Sequence, residues 1–211
     1  MSDHLEEVIP ILLLGGATVG KSTFLSYVMI EAESDLAELI RPRSRVSLGP
    51  RAASTASLPT LRDEDQPFVF DIRGRNASQT FRLEFFDTAS PTNFTLLRPS
   101  MIILCYDISI RDTLKEVQTR WKNLVETHFN YDEALPVMLL GLKRDLRTVD
   151  NVHPQDALRV AAEMRCDRYA ECSAMTGELV AEVFEDIVKM AVATTKGWGG
   201  GRTSGPSCSV M

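Results

Sequence analysis

Gly15-Gly-Ala-Thr-Val-Gly20-Lys21-Ser22 fits the pattern G-x-x-x-x-G-K-[ST] in full and stands directly behind the apolar run VIPILLL. The chemistry served by this spacing is the holding of phosphate. Backbone N–H groups of a glycine-rich turn, with the positive end of the following helix, bind phosphate oxygens. Lys21 adds a point charge for the outer phosphates, and the Ser22 hydroxyl is placed to ligate Mg²⁺. Three further clusters supply what such a loop asks of the rest of the chain. LEFFDTAS puts Asp87 at the end of a strand, as an anchor for Mg²⁺ through water. LLGLKRD puts Lys143 and Asp145 behind another buried strand as a base-reading element, and ECSAMT follows at Glu171 to Thr176.

The elements that must position these residues are legible as apolar patterns. Val8 to Leu14 is a nearly continuous apolar strand, the mark of a parallel strand covered on both faces, with Pro10 tolerated near its start. Gly20 to Ile30 reads as a helix opened by the glycine loop. Phe68 to Ile72 and Phe81 to Phe86 read as a hairpin around RGRNAS; Met101 to Tyr106 and Pro136 to Leu142 are buried strands. Asp112 to Phe129, Gln155 to Met164 and Glu178 to Ala193 have helical spacing, with the short strand YAEC before the last. This alternation predicts an α/β fold of three layers, a mostly parallel six-stranded sheet flanked by helices. Glu31 to Pro67, containing RPRSRVSLGPRAASTASLP, lacks apolar periodicity and is expected to be a mobile insertion. Lys196 to Met211 is expected to be a flexible tail behind a single domain over residues 1–195.

Composition narrows the function classes. A formal net charge of −6 gives no reason to expect nucleic acid as partner. No apolar run approaches the roughly 18 residues of a membrane span, and Met1 to Glu7 is too acidic for a signal peptide. The four cysteines lack metal-ligand spacing and read as free thiols of a reducing compartment. The NAS and NFT triplets at Asn76 and Asn93 therefore read as chance matches, and the three histidines are too scattered for a metal site.

The phosphate loop, Asp87, the KRD element and ECSA, in this order, resemble a small GTPase of the Ras superfamily with a P-loop G domain. LLRP at 96–99, TLKEVQTRWKNLV at 113–125, KRDLR and ECSA are most similar to the Rho branch, although no room is left for the additional Rho helix between Asp145 and Ser173. The resemblance implies that GTP and GDP are the ligands, with Mg²⁺. Gly15, Ala17, Thr18, Val19, Gly20, Lys21, Ser22 and Thr23 would surround the phosphates. Asp145 would accept two hydrogen bonds from guanine, Lys143 would lie over the base, Ala174 would offer its N–H to the guanine carbonyl, and Ser173 would support Asp145 beside Met175. Ser22, Thr60 and Asp87 would hold the metal, Thr60 in SLPTL being the switch threonine. Effector and regulator proteins would read the switch segments of a monomer.

The departures from the family pattern each have a physical consequence. Asp87-Thr-Ala-Ser90-Pro91 stands where D-T-A-G-Q is expected. Proline can neither orient a water through an amide nor donate an N–H, and it restricts Ser90. Ala17 adds a methyl group where glycine leaves room for an arginine finger. Leu142 replaces the asparagine or threonine that begins the base-reading motif, and Met175 replaces a lysine. These losses predict nucleotide binding weakened by about one to three powers of ten and hydrolysis close to absent. The leading expectation is a guanine-nucleotide switch with impaired or absent hydrolysis. The alternative is a pseudo-GTPase scaffold that binds nucleotide weakly or not at all. An ATP-using phosphotransferase would need a catalytic base and a lid, and the sequence displays neither.

The chain ends Cys208-Ser-Val-Met211, which fits C-a-a-X with the farnesyl type of terminus. With only Lys196 and Arg202 as nearby basic residues, one prenyl group on Cys208 predicts reversible exchange between the cytoplasm and the cytoplasmic face of a membrane, the plasma membrane by expectation. Arg41, Arg43, Arg45 and Arg51 around Ser44, Ser47 and Ser54 would suit a basophilic kinase or a docking arm, or serve only as a solvated insertion.

Overall fold

A computed structural model describes residues 6–31, 40–42, 58, 61, 65–73, 80–87, 97–129 and 134–195. Thr60, Ser90, Pro91, Cys208, the tail and most of the Arg/Ser-rich insertion lie outside them. Seven strands form one sheet in the order β2-β3-β4-β1-β5-β6-β7. They are β1 (Glu6–Leu14), β2 (Ile40–Pro42), β3 (Phe68–Arg73), β4 (Thr80–Asp87), β5 (Met101–Asp107), β6 (Val137–Leu142) and β7 (Arg168–Glu171). The β3–β4 hairpin and β2–β3 are antiparallel; β4, β1, β5, β6 and β7 run parallel. The six expected strands are all present. The seventh, β2, lies inside the segment expected to be loop: three residues pair with β3, and Pro42 is tolerated there because an edge strand needs donors on one side only.

Pro10 sits deeper in β1 than expected, since the strand begins at Glu6. Pairing with β5 starts only at Ile11, so the missing N–H falls just before that ladder. The Pro10 carbonyl is used, accepting the Ser100 N–H at 2.8 Å.

The central strands are apolar on both faces because each face is covered. Ile11 and Leu13 join the core beneath α1 (Lys21–Glu31) and α5 (Val180–Ala193), where Phe70, Phe85 and Phe184 meet with ring centroids 5.4 to 6.1 Å apart. Leu12 and Leu14 face the other core, with Leu114, Val117 and Trp121 and with Ala157 and Val160 of α4 (Pro154–Glu163). The helix expected over Asp112–Phe129 is α2 (Arg111–Glu116) and α3 (Lys122–His128), joined by a π turn at Val117–Trp121. That wider turn buries both Val117 and Trp121 on the sheet. Among the described residues no helix is long and apolar enough to cross a membrane.

Candidate functional site

The parallel strands deliver their C-terminal ends to one edge of the sheet, the general location of ligand sites in such folds. From β1 the chain turns at Gly15, where a side chain is barred: a Cβ would lie 2.6 Å from the Cys105 carbonyl oxygen of β5. Thr18 and Gly20 take positive φ, 64° and 111°, which curls the loop before α1 begins at Lys21. Val19 is buried as the loop's anchor, while Ala17, Thr18 and Ser22 face solvent.

Lys21 is 5% exposed, and its ammonium donates to the carbonyls of Gly15 at 3.1 Å and Gly16 at 3.0 Å. It also stands 3.4 Å from Asp87 Oδ1, so the phosphate lysine and the acid at the end of β4 meet across the loop. The Ser22 hydroxyl donates to Asp87 Oδ2 at 2.8 Å. A hydroxyl and a carboxylate converging in this way form an oxygen donor set, which suits a hard divalent cation such as Mg²⁺. The residues present therefore fit the metal that the sequence implies. A residue the sequence reading missed completes this end: Gln66 Oε1 accepts the Asp87 N–H at 3.0 Å, with its Nε2 buried and unpartnered. Running the β3–β4 register two residues back from Phe68↔Phe85 would have placed Gln66 opposite Asp87.

On the other side of α1's first turn, Gly20, Thr23, Leu142, Lys143, Asp145, Ala174 and Met175 line a cavity of about 120 Å³. The sequence thus brings the base-reading element, the SAM segment and the phosphate loop to one place. Ser173, fully buried, donates its hydroxyl to Asp145 Oδ1 and accepts the Thr176 N–H at 3.2 Å, so Asp145 is held from behind. The Arg144 N–H to the Cys172 carbonyl, 3.1 Å, ties the two base-side loops together. Leu142 is 2% exposed and gives this wall hydrocarbon where a polar group was expected, whereas Met175, 71% exposed, stands at the rim. Lys143 has φ +59° and pairs with the buried Asp107 at 2.7 Å. Tyr27 reaches from α1 to Gly177 (φ +80°), where a Cβ would lie 2.1 Å from the tyrosine oxygen. Neither Asp107 nor Tyr27 carries a local sequence signal.

Two thiols back the site. Burial pushes Cys105 up to about 12, with Lys21 pulling down and Asp87 up more weakly. Cys172 is raised by burial and, less, by Cys105 and Glu171. A larger cavity of about 230 Å³ lies beside the outer strand β7. Its arginines are already engaged there, Arg147 on Glu171 at 2.7 Å and Arg168 on Asp186 at 2.6 Å, so the smaller cavity beside the phosphate loop is the candidate site.

The comparisons with known proteins agree with this geometry. The family model "Ras family" matches residues 62–193, more than half the chain. The GTP-binding protein rho1 of Schizosaccharomyces pombe is 31% identical over 144 residues, covering 60% of this chain and 68% of its own length. The Ras-like GTP-binding protein RhoL of Drosophila melanogaster is 29% identical over 161 residues, 71% of this chain and 80% of the fly protein. With the GTP-binding protein RHO4 of Saccharomyces cerevisiae the identity is 31% over 144 residues, 64% of this chain but only 47% of the yeast protein. A phosphate loop, a metal-side aspartate and a base pocket in this order on this sheet, with these relatives, place the chain in the Ras superfamily of small GTPases, on its Rho branch.

Proposed function

We propose that this protein is a guanine-nucleotide-binding switch that hydrolyses GTP very slowly or not at all. The observation that carries the reading is the convergence of Lys21, Ser22 and Asp87 next to Gly20 and Thr23, which line the Asp145 cavity. Phosphates would displace the Lys21 ammonium from the carbonyls of Gly15 and Gly16 and take the loop's N–H groups in their place. Bound Mg²⁺, held by Ser22 and through water by Asp87, would neutralise phosphate charge, with Thr60 as the third candidate ligand. Asp145, fixed by Ser173, accepts from the two guanine N–H donors that adenine lacks in that arrangement. Pro91, Ser90 and Ala17 support slow hydrolysis, because each removes a group or a space that water attack uses.

Effector and regulator proteins would then read a long-lived GTP state through the switch segments of a 1–195 domain. A prenyl group on Cys208 would tether it reversibly to the cytoplasmic face of a membrane. A second reading, a scaffold that has given up nucleotide, draws support from Leu142, whose side chain offers the base cavity no hydrogen bond. Isothermal titration of GDP, GTP and ATP into nucleotide-stripped protein with Mg²⁺ separates the two. Micromolar or tighter guanine-nucleotide binding, lost in Lys21→Ala and not shared by ATP, is the expected result. No binding at hundreds of micromolar would leave the scaffold. Single-turnover assays on the loaded protein then test the slow hydrolysis, and loss of membrane association in Cys208→Ser tests the tether.

A further inference from the structure

We propose that Asp107 is the positioning residue that holds Lys143 along the wall of the base cavity, a role that rests on the guanine-nucleotide reading above. Asp107 ends β5 and is 1% exposed. Its carboxylate is locked from one side, Oδ1 accepting the Ser109 N–H at 2.8 Å and the Ser109 hydroxyl at 2.6 Å. Its own N–H donates to Thr113 Oγ1 at 3.0 Å, which fixes the backbone that carries it. The second oxygen, Oδ2, faces the Lys143 ammonium at 2.7 Å.

The lysine is shaped to meet it. A positive φ at Lys143 swings the side chain off the line of β6, and its Cε passes 3.5 Å from where a Gly20 Cβ would stand. The hydrocarbon stem therefore crosses from the end of β6, over the phosphate loop's last glycine, to the end of β5. That path runs along the cavity that Gly20, Thr23, Asp145 and Ala174 also line. A free lysine gives up rotamer freedom when fixed against a ligand. A lysine already pinned at its ammonium has met that cost before the base arrives, which is preorganisation. The pin matters more here because Leu142 has no polar group with which to tie the loop; beyond the ladder, these strand ends are also linked by backbone, the Ile108 N–H to the Leu142 carbonyl at 3.0 Å.

The test uses full-length protein. Dissociation of fluorescent GDP is measured for wild type, Asp107→Asn, Lys143→Met and the double variant. Lys143→Met keeps the stem and removes the ammonium. Each single change is expected to speed dissociation about tenfold, the low end for a lost charge-assisted hydrogen bond, and the double to be no faster than either. A hundredfold effect in the double, or no effect of Asp107→Asn, overturns the proposal. A second measurement needs no nucleotide: in ¹⁵N-labelled protein the Lys143 ammonium should give a slowly exchanging signal, absent in Lys143→Met. If wild type lacks that signal, the pin does not exist and the proposal falls alone. If the signal is present and the protein binds no guanine nucleotide, the functional reading falls and takes the positioning role with it.

Discussion

At the phosphate end of the cleft the polar groups are turned on one another, Lys21 with Asp87 and two carbonyls, Ser22 with Asp87, Asp87 with Gln66. At the base end the polar groups stand in two pairs, Ser173 with Asp145 and Lys143 with Asp107, on a wall to which Leu142 adds hydrocarbon. The first end is one connected knot made largely by backbone and a few charges. The second is an assembly of single side chains from different loops. A knot of that kind tolerates little change, because removing any member leaves a buried charge or donor uncompensated. Leu142 and Met175 stand beside these pairs and belong to neither, so they occupy the base end without breaking a bond. The phosphate end keeps Lys21, Ser22 and Asp87; its departures from the family pattern are Ala17, Ser90 and Pro91.

The largest effect should come from turning around Asp145, the acceptor proposed to read the base. Asp145→Asn replaces one acceptor oxygen by an Nδ2 that donates, so one of guanine's two N–H groups meets a donor while xanthine's carbonyl gains a partner. Guanine affinity should fall at least about a hundredfold, roughly 3 kcal/mol, with xanthosine nucleotides now preferred. Competition of GDP against XDP checks it; a variant that still prefers GDP would mean that Asp145 does not face the base.

Gly15→Ala asks the same of the phosphate end through shape. The new Cβ would stand 2.6 Å from the Cys105 carbonyl oxygen and 3.1 Å from its Cβ, so β1 and β5 must part. A cost of about 1–3 kcal/mol in stability is expected, with a loss of nucleotide affinity alongside. Urea unfolding of stripped protein reads the first and titration the second. An unchanged midpoint would show the loop to be looser than the knot implies.

Much of this is legible in the sequence. Apolar runs at strand length mark the sheet, the phosphate-loop spacing names Lys21 and Ser22, the strand ends add Asp87, Lys143 and Asp145, and the family resemblance adds Ser173. What sequence reading missed is non-local. Asp107 meets Lys143, Gln66 meets Asp87 and Tyr27 meets Gly177 only after strands from distant parts of the chain lie side by side. The strand at Ile40–Pro42 was hidden by its Arg- and Pro-rich composition, since an edge strand is held by backbone pairing that composition does not report. The π turn was hidden because Val117 and Trp121 keep ordinary helical spacing.

The thiols behind the two ends offer a third comparison. Cys105 lies under the phosphate loop and Cys172 under the base loop, and burial raises both from an ordinary 9.0. A raised folded value means that the unfolded chain releases its proton first, so the stabilisation is complete below pH 9 and drains away as pH climbs toward about 12. Each thiol should steepen the alkaline loss of stability by up to about 1.4 kcal/mol per pH unit. Urea midpoints between pH 8 and about pH 10.5 should fall less steeply in Cys105→Ala and in Cys172→Ala than in wild type. Equal slopes in all three would mean that water reaches these thiols.

Leu142→Asn probes the hydrocarbon gap itself, with the smallest expected gain. An amide at this position would donate and accept on the wall that Leu142 now lines with hydrocarbon. Nucleotide affinity should rise about tenfold, the return on one added hydrogen bond in a partly buried site. The same change puts a polar group where a 2%-exposed leucine packs beside Gly20, so the nucleotide-free protein should melt lower. The two readouts thus move in opposite directions, and that opposition is the point of the experiment. Tighter GDP binding with a lower apo melting temperature would make Leu142 a residue that favours the empty fold over the loaded one. A lower melting temperature with no gain in affinity would place the base end's weakness elsewhere, at Met175 on the rim.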